Sequence, residues 1–213
     1  MANRQESQAP FRHTHCDTAV MFAIILGLAI GLLTVIPLGP LSMTIIGVAA
    51  DRGPVSGIQA ALGVVGADVL LGSSTVAVVV AGQTLPGPVF SALQAVSAAV
   101  VVGFGFALIV KVRELHRLVG RIQRPAPTLF VMSVVSPAVG SWLAILLASP
   151  FTEHADKLML FAAGIVVASL LWHSALGALA GHFASSLTQH RLLGLARIGG
   201  VSMVGLGLAM FAL

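Results

Sequence analysis

Charge is what this chain lacks most: Asp, Glu, Lys and Arg together make up 8% of its 213 residues, against roughly 25% in ordinary soluble proteins. Tyrosine is absent and tryptophan occurs twice. A soluble fold of this length needs a polar surface that this composition cannot supply. With 57% apolar residues, the exterior must be solvated mostly by lipid. The scarcity of Tyr and Trp also argues against a nucleic-acid partner, despite a formal charge of +4. The basic residues sit in short gaps between apolar runs, as in loops facing anionic lipid headgroups. The single cysteine, Cys16, excludes an intramolecular disulfide and a paired-thiol redox relay. There is no phosphate loop, zinc-protease helix or Ser/His/acid arrangement, so no enzyme activity and no cofactor are expected. Any transport would therefore draw on an ion or substrate gradient.

Spanning the hydrocarbon layer takes about 20 apolar residues in a helix. Six candidate runs follow: Ala19–Ala50 interrupted by Pro37-Leu38-Gly39-Pro40, then Val55–Ala81, Val89–Val110, Leu129–Ser149, Leu158–Phe183 and Leu192–Leu213. Residues 1–18 (MANRQESQAPFRHTHCDT) are polar and are expected to form a disordered tail. The run after them leads into Pro-Leu-Gly-Pro without a small-x-small site, which argues against a cleaved signal peptide. Met21 opens that run and is an alternative start.

The fold expected is an all-α integral membrane protein of about six transmembrane helices, arranged as two inverted three-helix repeats with broken first helices. Residues 19–110 make the first half, 111–127 a basic cytoplasmic linker, and 128–213 the second half. Three spans per half force opposite orientations, a recurring design in secondary transporters. The breaks correspond, Pro37–Pro40 in one half and Ser136-Pro137 in the other. So do the ionisable residues of the second spans, Asp68 and His173. Of the 11 Lys and Arg, only Arg4, Arg12 and Lys157 fall outside the odd-numbered connections. The positive-inside rule then puts those connections in the cytoplasm and both termini in the periplasm.

Asp68 lies in a stretch from Gly57 to Gly82 without another charge. A carboxylate at mid-membrane costs roughly 2.5–3.5 kcal/mol on insertion scales and needs a partner, a water-filled cavity or a proton. Ala61, Gly72 and Thr75 share its helical face, which is small and polar. It reads as a proton- or cation-coupling site or an anchor for a substrate ammonium. The plainer alternative is a structural carboxylate capped by neighbouring hydroxyls. His173, preceded by Trp172, shares a face with Ser169, Gly177 and Gly181. It reads as a proton relay or as a neutral imidazole bonded across a helix interface.

Pro37, Gly39 and Pro40 interrupt the first run. Each proline removes an N–H and orphans a carbonyl four residues back, near Leu33 and Ile36. Such carbonyls can ligate a cation or an ammonium, and a restarting helix can hold a carboxylate. The alternative is a mere kink. Ser42 and Thr44 are candidates to cap the restart. Ser136-Pro137, followed by Gly140, is the weaker counterpart, and Trp142 reads as a packing or interfacial aromatic. His13, His15, Cys16 and Asp17 resemble soft-metal ligands, but nothing else in the tail closes a site, so no metal is expected. The pairs Gly27/Gly31 and Gly177/Gly181 match the small-xxx-small pattern of close helix packing, within or between subunits. A homodimer is left open.

Ile36-Pro37-Leu38-Gly39-Pro40, the segment Gly57 to Asp68 (GIQAALGVVGAD), Ser136-Pro137 with Trp142 and Phe151, Gly164 to Trp172, and Arg191 to Leu208 together resemble the LysE/RhtB family of bacterial amino-acid exporters. The resemblance runs from Met21 to the end. It departs from the family where Leu41-Ser42 replaces the usual asparagine after Pro-Gly-Pro, and where Ser136-Pro137-Ala138 replaces Asn-Pro-Lys. What the resemblance implies is export of an amino acid; taken with Asp68, His173 and the broken helices, the leading expectation is proton-coupled export of an amino acid or related small solute across the bacterial inner membrane by alternating access. The wider superfamily also contains metal-ion exporters. A cation exporter on the same scaffold and a non-transporting membrane scaffold are the competing expectations.

Overall fold

Prolines and glycines decide where the helices start and stop. The computed structural model describes residues 11–36, 40–82, 122–136 and 138–183, with parts of 88–110 and 194–208. Helix α1 spans Phe11–Val35, α2 Pro40–Arg52, α3 Pro54–Gly82, α4 Pro125–Val134, α5 Ala138–Leu147 and α6 Ala155–His182. The described residues of 88–110 and 194–208 are also helical, and no strand occurs among the described residues. Helix α1, from Thr18 onward, α3 and α6 are each long and apolar enough to cross a membrane. With Met21, Ile25, Leu33, Val69 and Leu171 all exposed, their outer faces require lipid, and the chain is a membrane protein.

Pro40, Pro54 and Pro125 each occupy the first position of a helix, where the missing N–H has no partner to lose. Between α2 and α3, Gly53 adopts φ 86° and its N–H reaches Ala49 O at 2.8 Å, closing α2 before Pro54 opens α3. A side chain at that φ would be strained, so glycine is required. Pro137 stops α4: Ser136 N–H turns back to Ser133 O at 3.1 Å, and its hydroxyl donates to the same carbonyl at 2.7 Å. The orphaned carbonyl is thereby satisfied locally.

Two expected boundaries are corrected. Residues 11–18, assigned to a disordered tail, belong to α1. No proline or glycine occurs from Phe11 to Leu26, so the helix runs on past the apolar boundary. Pro125–Pro127, assigned to the linker, form the first turn of α4. Of the rest of the linker, residues 122–124 are described and lie outside any helix, and residues 111–121 lie outside the described residues.

Helix–helix contacts are made where small residues let backbones touch. Gly27 of α1 lies against the backbone of Phe161, and Gly31 against Ile165 and Ala168, so α1 and α6 run in the same direction. Gly63 of α3 lies on the backbone of Ala126 and Gly66 on the ring of Phe130, so α3 and α4 also run together. Helices α3 and α6 are antiparallel: Gly57 meets Gly177, while Asp68 meets Ser169 further along. The glycine pairs expected to mark close packing, Gly27/Gly31 and Gly177/Gly181, all make contacts within this chain. Gly200 approaches Gly105 and Ile109, and Gly207 approaches Ala98 and Val102, which pairs those two segments antiparallel as well.

Candidate functional site

Along α3 the buried residues change character twice. Ala60, Ala61 and Val64 pack with Ile45, Val48 and Leu129 in one apolar layer. Leu71, Val76 and Val79 join Trp142, Phe161 and Ile165 in another. Asp68 falls between the layers, 7% exposed. On α6, Ser169 and His173 fall likewise between Ile165 and the small cluster of Ala180 with Ile46 and Ala49. Two helices running in opposite directions thus present their polar residues to each other at one level. Burying a carboxylate here without partners would be prohibitive.

Its partners are present. Trp142 Nε1 donates to Asp68 Oδ1 at 3.3 Å, and the Ser169 hydroxyl donates to Oδ2 at 2.5 Å. Ser169 Oγ also lies 3.0 Å from His173 Nδ1, which is 3.0 Å from Ser169 O as well. With the serine proton directed to Asp68, Nδ1 faces two acceptors, so it carries the ring proton in this arrangement. Reversing both bonds would let a protonated Asp68 donate to Ser169 and Ser169 donate to Nδ1. Between an imidazolium His173, which keeps a proton on Nε2, and an ionised Asp68, the bridging hydroxyl can therefore pass a proton in either direction.

Asp68, Ser169 and His173, proposed from sequence as separate candidates, form this single chain. Gly72 contributes indirectly: a Cβ there would lie 3.0 Å from the Trp142 ring, so glycine makes room for the indole. Thr75 is buried, but its hydroxyl returns to Leu71 O at 2.7 Å and does not join. Ser136 instead serves the α4 terminus. Ser42 and Thr44 lie inside α2 and are buried, so neither caps it: Pro40 already occupies its first turn. Trp172 is half-buried beside His173, and its buried Nε1 has no hydrogen-bond partner among the described residues. Pro37, Gly39 and Pro137 lie outside the described residues, as do the side chains of His13, His15, Cys16 and Asp17. No metal-ligand cluster occurs among the described residues.

Sequence reasoning missed two residues. Trp142, read as a packing aromatic, is also an Asp68 donor; helical spacing carries no signal linking positions in α3 and α5. Ser133 has a fully buried hydroxyl with no partner among the described residues. Its signal was available, because it lies four residues before Pro137, the position whose carbonyl a proline orphans.

Trp142→Phe keeps a ring over Gly72 but removes the donor. The expected result is a loss of about 1 kcal/mol, from an Asp68 oxygen left unpaired, read as a lower melting temperature in detergent. An unchanged melting temperature would show that this long bond contributes nothing.

Comparison with protein-family models, curated proteins and solved structures finds no match.

Proposed function

We propose that this membrane protein is a proton-coupled, secondary-active exporter of amino acids or closely related small solutes in the bacterial inner membrane, working by alternating access. The observation that carries the reading is the buried Asp68–Ser169–His173 chain, which links an acid on α3 to an imidazole on α6 through one hydroxyl. Intramembrane acids in such settings mark ion and substrate pathways.

The packing supports an inverted three-plus-three repeat. Helix α6 runs along α1 and then α2, while α3 runs along α4 and then α5. The unbroken helix of each proposed half thus lies beside the broken helix of the other. The unbroken helices pair antiparallel, as do the 98–109 and 200–207 segments. Two repeats related by an axis in the membrane plane would make contacts of this kind, the symmetry used by transporters that rock one repeat against the other. The basic connections favour cytoplasmic odd loops and periplasmic termini.

The test is efflux of preloaded radiolabelled amino acids from proteoliposomes, with a pH gradient imposed or collapsed. Gradient-dependent efflux above that of empty liposomes supports the reading; equal rates in all conditions sink it. A second reading, a non-transporting scaffold, draws on the fact that both Asp68 oxygens are already bonded. It expects the same bonds to fix the bundle and no solute to move in this assay.

A further inference from the structure

Helix α5 carries two polar side chains, Ser141 and Trp142. The connections on either side of it are stitched locally. Before it, the Ser136 N–H and hydroxyl both return to Ser133 O. After it, the Ser149 N–H donates to Leu146 O at 3.3 Å, and the Phe151 N–H donates to the Ser149 hydroxyl at 3.4 Å. A tilt of α5 need therefore unpair neither connection. Trp142 and Leu146 cluster with Leu71, Val76 and Phe161, and apolar contact of this kind is non-directional and indifferent to protons. The indole N–H is the exception, because it reaches Asp68.

The indole is seated for that contact. Asp68 and Gly72 stand one turn apart on α3. A Cβ on Gly72 would lie 3.0 Å from Cη2 and Cζ3 of Trp142 and 3.4 Å from Cζ2, so the six-membered ring rests on the bare glycine. The five-membered ring then brings Nε1 to Asp68 Oδ1 at 3.3 Å. Both residues are buried, so bulk water does not compete for the bond. Oδ1 belongs to a carboxylate when Ser169 donates to Oδ2, and to a neutral acid when the bonds through Ser169 reverse. Hydrogen bonds to a charged acceptor are roughly twice as strong as neutral ones, so the hold of α3 on α5 changes with the proton on Asp68. No other charge competes at this level. His173 is the one other ionisable group among the buried described residues. Helices α4 and α5 contain none, and Asp51 and Arg52 of α2, with Asp156, Lys157 and His182 of α6, stand at helix ends.

We propose that Trp142 is the positioning residue that couples the protonation of Asp68 to movement of α5. With Asp68 ionised, the indole bond holds α5 against α3. With Asp68 protonated, the bond weakens and α5 is free to tilt at its two connections. The proposal rests on the transport reading above and names the step by which a proton would move a helix.

The experiment measures efflux of preloaded amino acids from proteoliposomes, with and without a pH gradient, for wild type and Trp142→Phe. Phenylalanine keeps an aromatic ring over Gly72 and lacks the donor. The ratio of the two rates should fall about fivefold, the difference between a charge-assisted bond and a neutral one. A packing defect would lower both rates and keep their ratio. A second measurement needs no transport: the melting-temperature gap between wild type and Trp142→Phe should widen as pH rises and Asp68 ionises. The gap should be flat with pH when both proteins carry Asp68→Asn. Should Trp142→Phe fail to fold, Gly72→Ala takes its place, because it keeps the donor but pushes the ring off its seat; it should blunt the gradient response. An unchanged ratio in the folded variant, or a gap independent of pH, overturns the role of Trp142 and leaves the exporter standing. If wild type shows no gradient-dependent efflux, the exporter reading falls and takes this one with it.

Discussion

On the transport reading proposed above, Asp68→Asn is expected to uncouple solute efflux from the pH gradient while leaving the bundle intact. Asparagine has the shape of aspartate, and its carbonyl oxygen can still accept from Trp142 Nε1. Its amide nitrogen would then face Ser169 Oγ, which can turn to accept. Stability should stay within about 1 kcal/mol of wild type, the net worth of an ordinary hydrogen bond. What cannot survive is proton exchange, because an amide does not titrate. Efflux should fall to the rate seen with the gradient collapsed and lose its dependence on pH. Asp68→Ala is the contrasting variant: it leaves both the Ser169 hydroxyl and the Trp142 N–H buried without an acceptor, at a cost of about 1–3 kcal/mol each. A normal gradient response in a well-folded Asp68→Asn protein would remove Asp68 from the coupling mechanism.

A large structural effect is expected at Gly177. A Cβ there would lie 2.6 Å from the Gly57 carbonyl carbon, 2.7 Å from its oxygen and 3.0 Å from Ile58 N. All three are backbone atoms, so no rotamer change can relieve the clash. Gly177→Leu must push α3 and α6 apart, which separates Asp68 from Ser169 further along the same seam. Overpacking inside a well-packed core costs typically 1–3 kcal/mol, and a wedge against rigid backbone falls at or beyond the top of that range. The variant should aggregate in detergent or melt far below wild type. Gly103→Ala is the control: nothing lies within 4 Å of a Cβ there, so its melting temperature should hold. Normal behaviour of Gly177→Leu in size-exclusion chromatography would mean that the two helices do not meet at these glycines.

Much of the fold was legible because lipid makes composition decisive. Val55–Ala81 and Leu158–Phe183 foretold α3 and α6 to within a few residues, since prolines or charges bound both runs. The two breaks were readable because a proline beyond the first turn removes a hydrogen bond from the helical ladder and clashes with the carbonyl four residues back. The start of α1 was not readable, because nothing in Phe11–Thr18 forbids a helix and apolar periodicity says nothing about a polar helical turn. In the site, Asp68 and His173 stood out as isolated ionisable residues in apolar runs. Their connection through Ser169 did not, since it depends on the depth at which two antiparallel helices cross. That depth is set by Gly57 against Gly177, two glycines far from each other in the chain. The role of Trp142 was hidden for a related reason, because it depends on how α5 restarts after Pro137 and on the space left by Gly72.

The chain's poverty in aromatics has a practical side. It contains no tyrosine and two tryptophans, and one of them holds its indole nitrogen 3.3 Å from Asp68 Oδ1. Near-ultraviolet emission from this protein is therefore dominated by two indoles, of which Trp142 looks directly at the acidic group. In a Trp172→Phe background the remaining fluorophore becomes a native optical gauge of the Asp68 environment. Changes in its charge, hydration or distance from α5 can then be followed in real time without attaching a label.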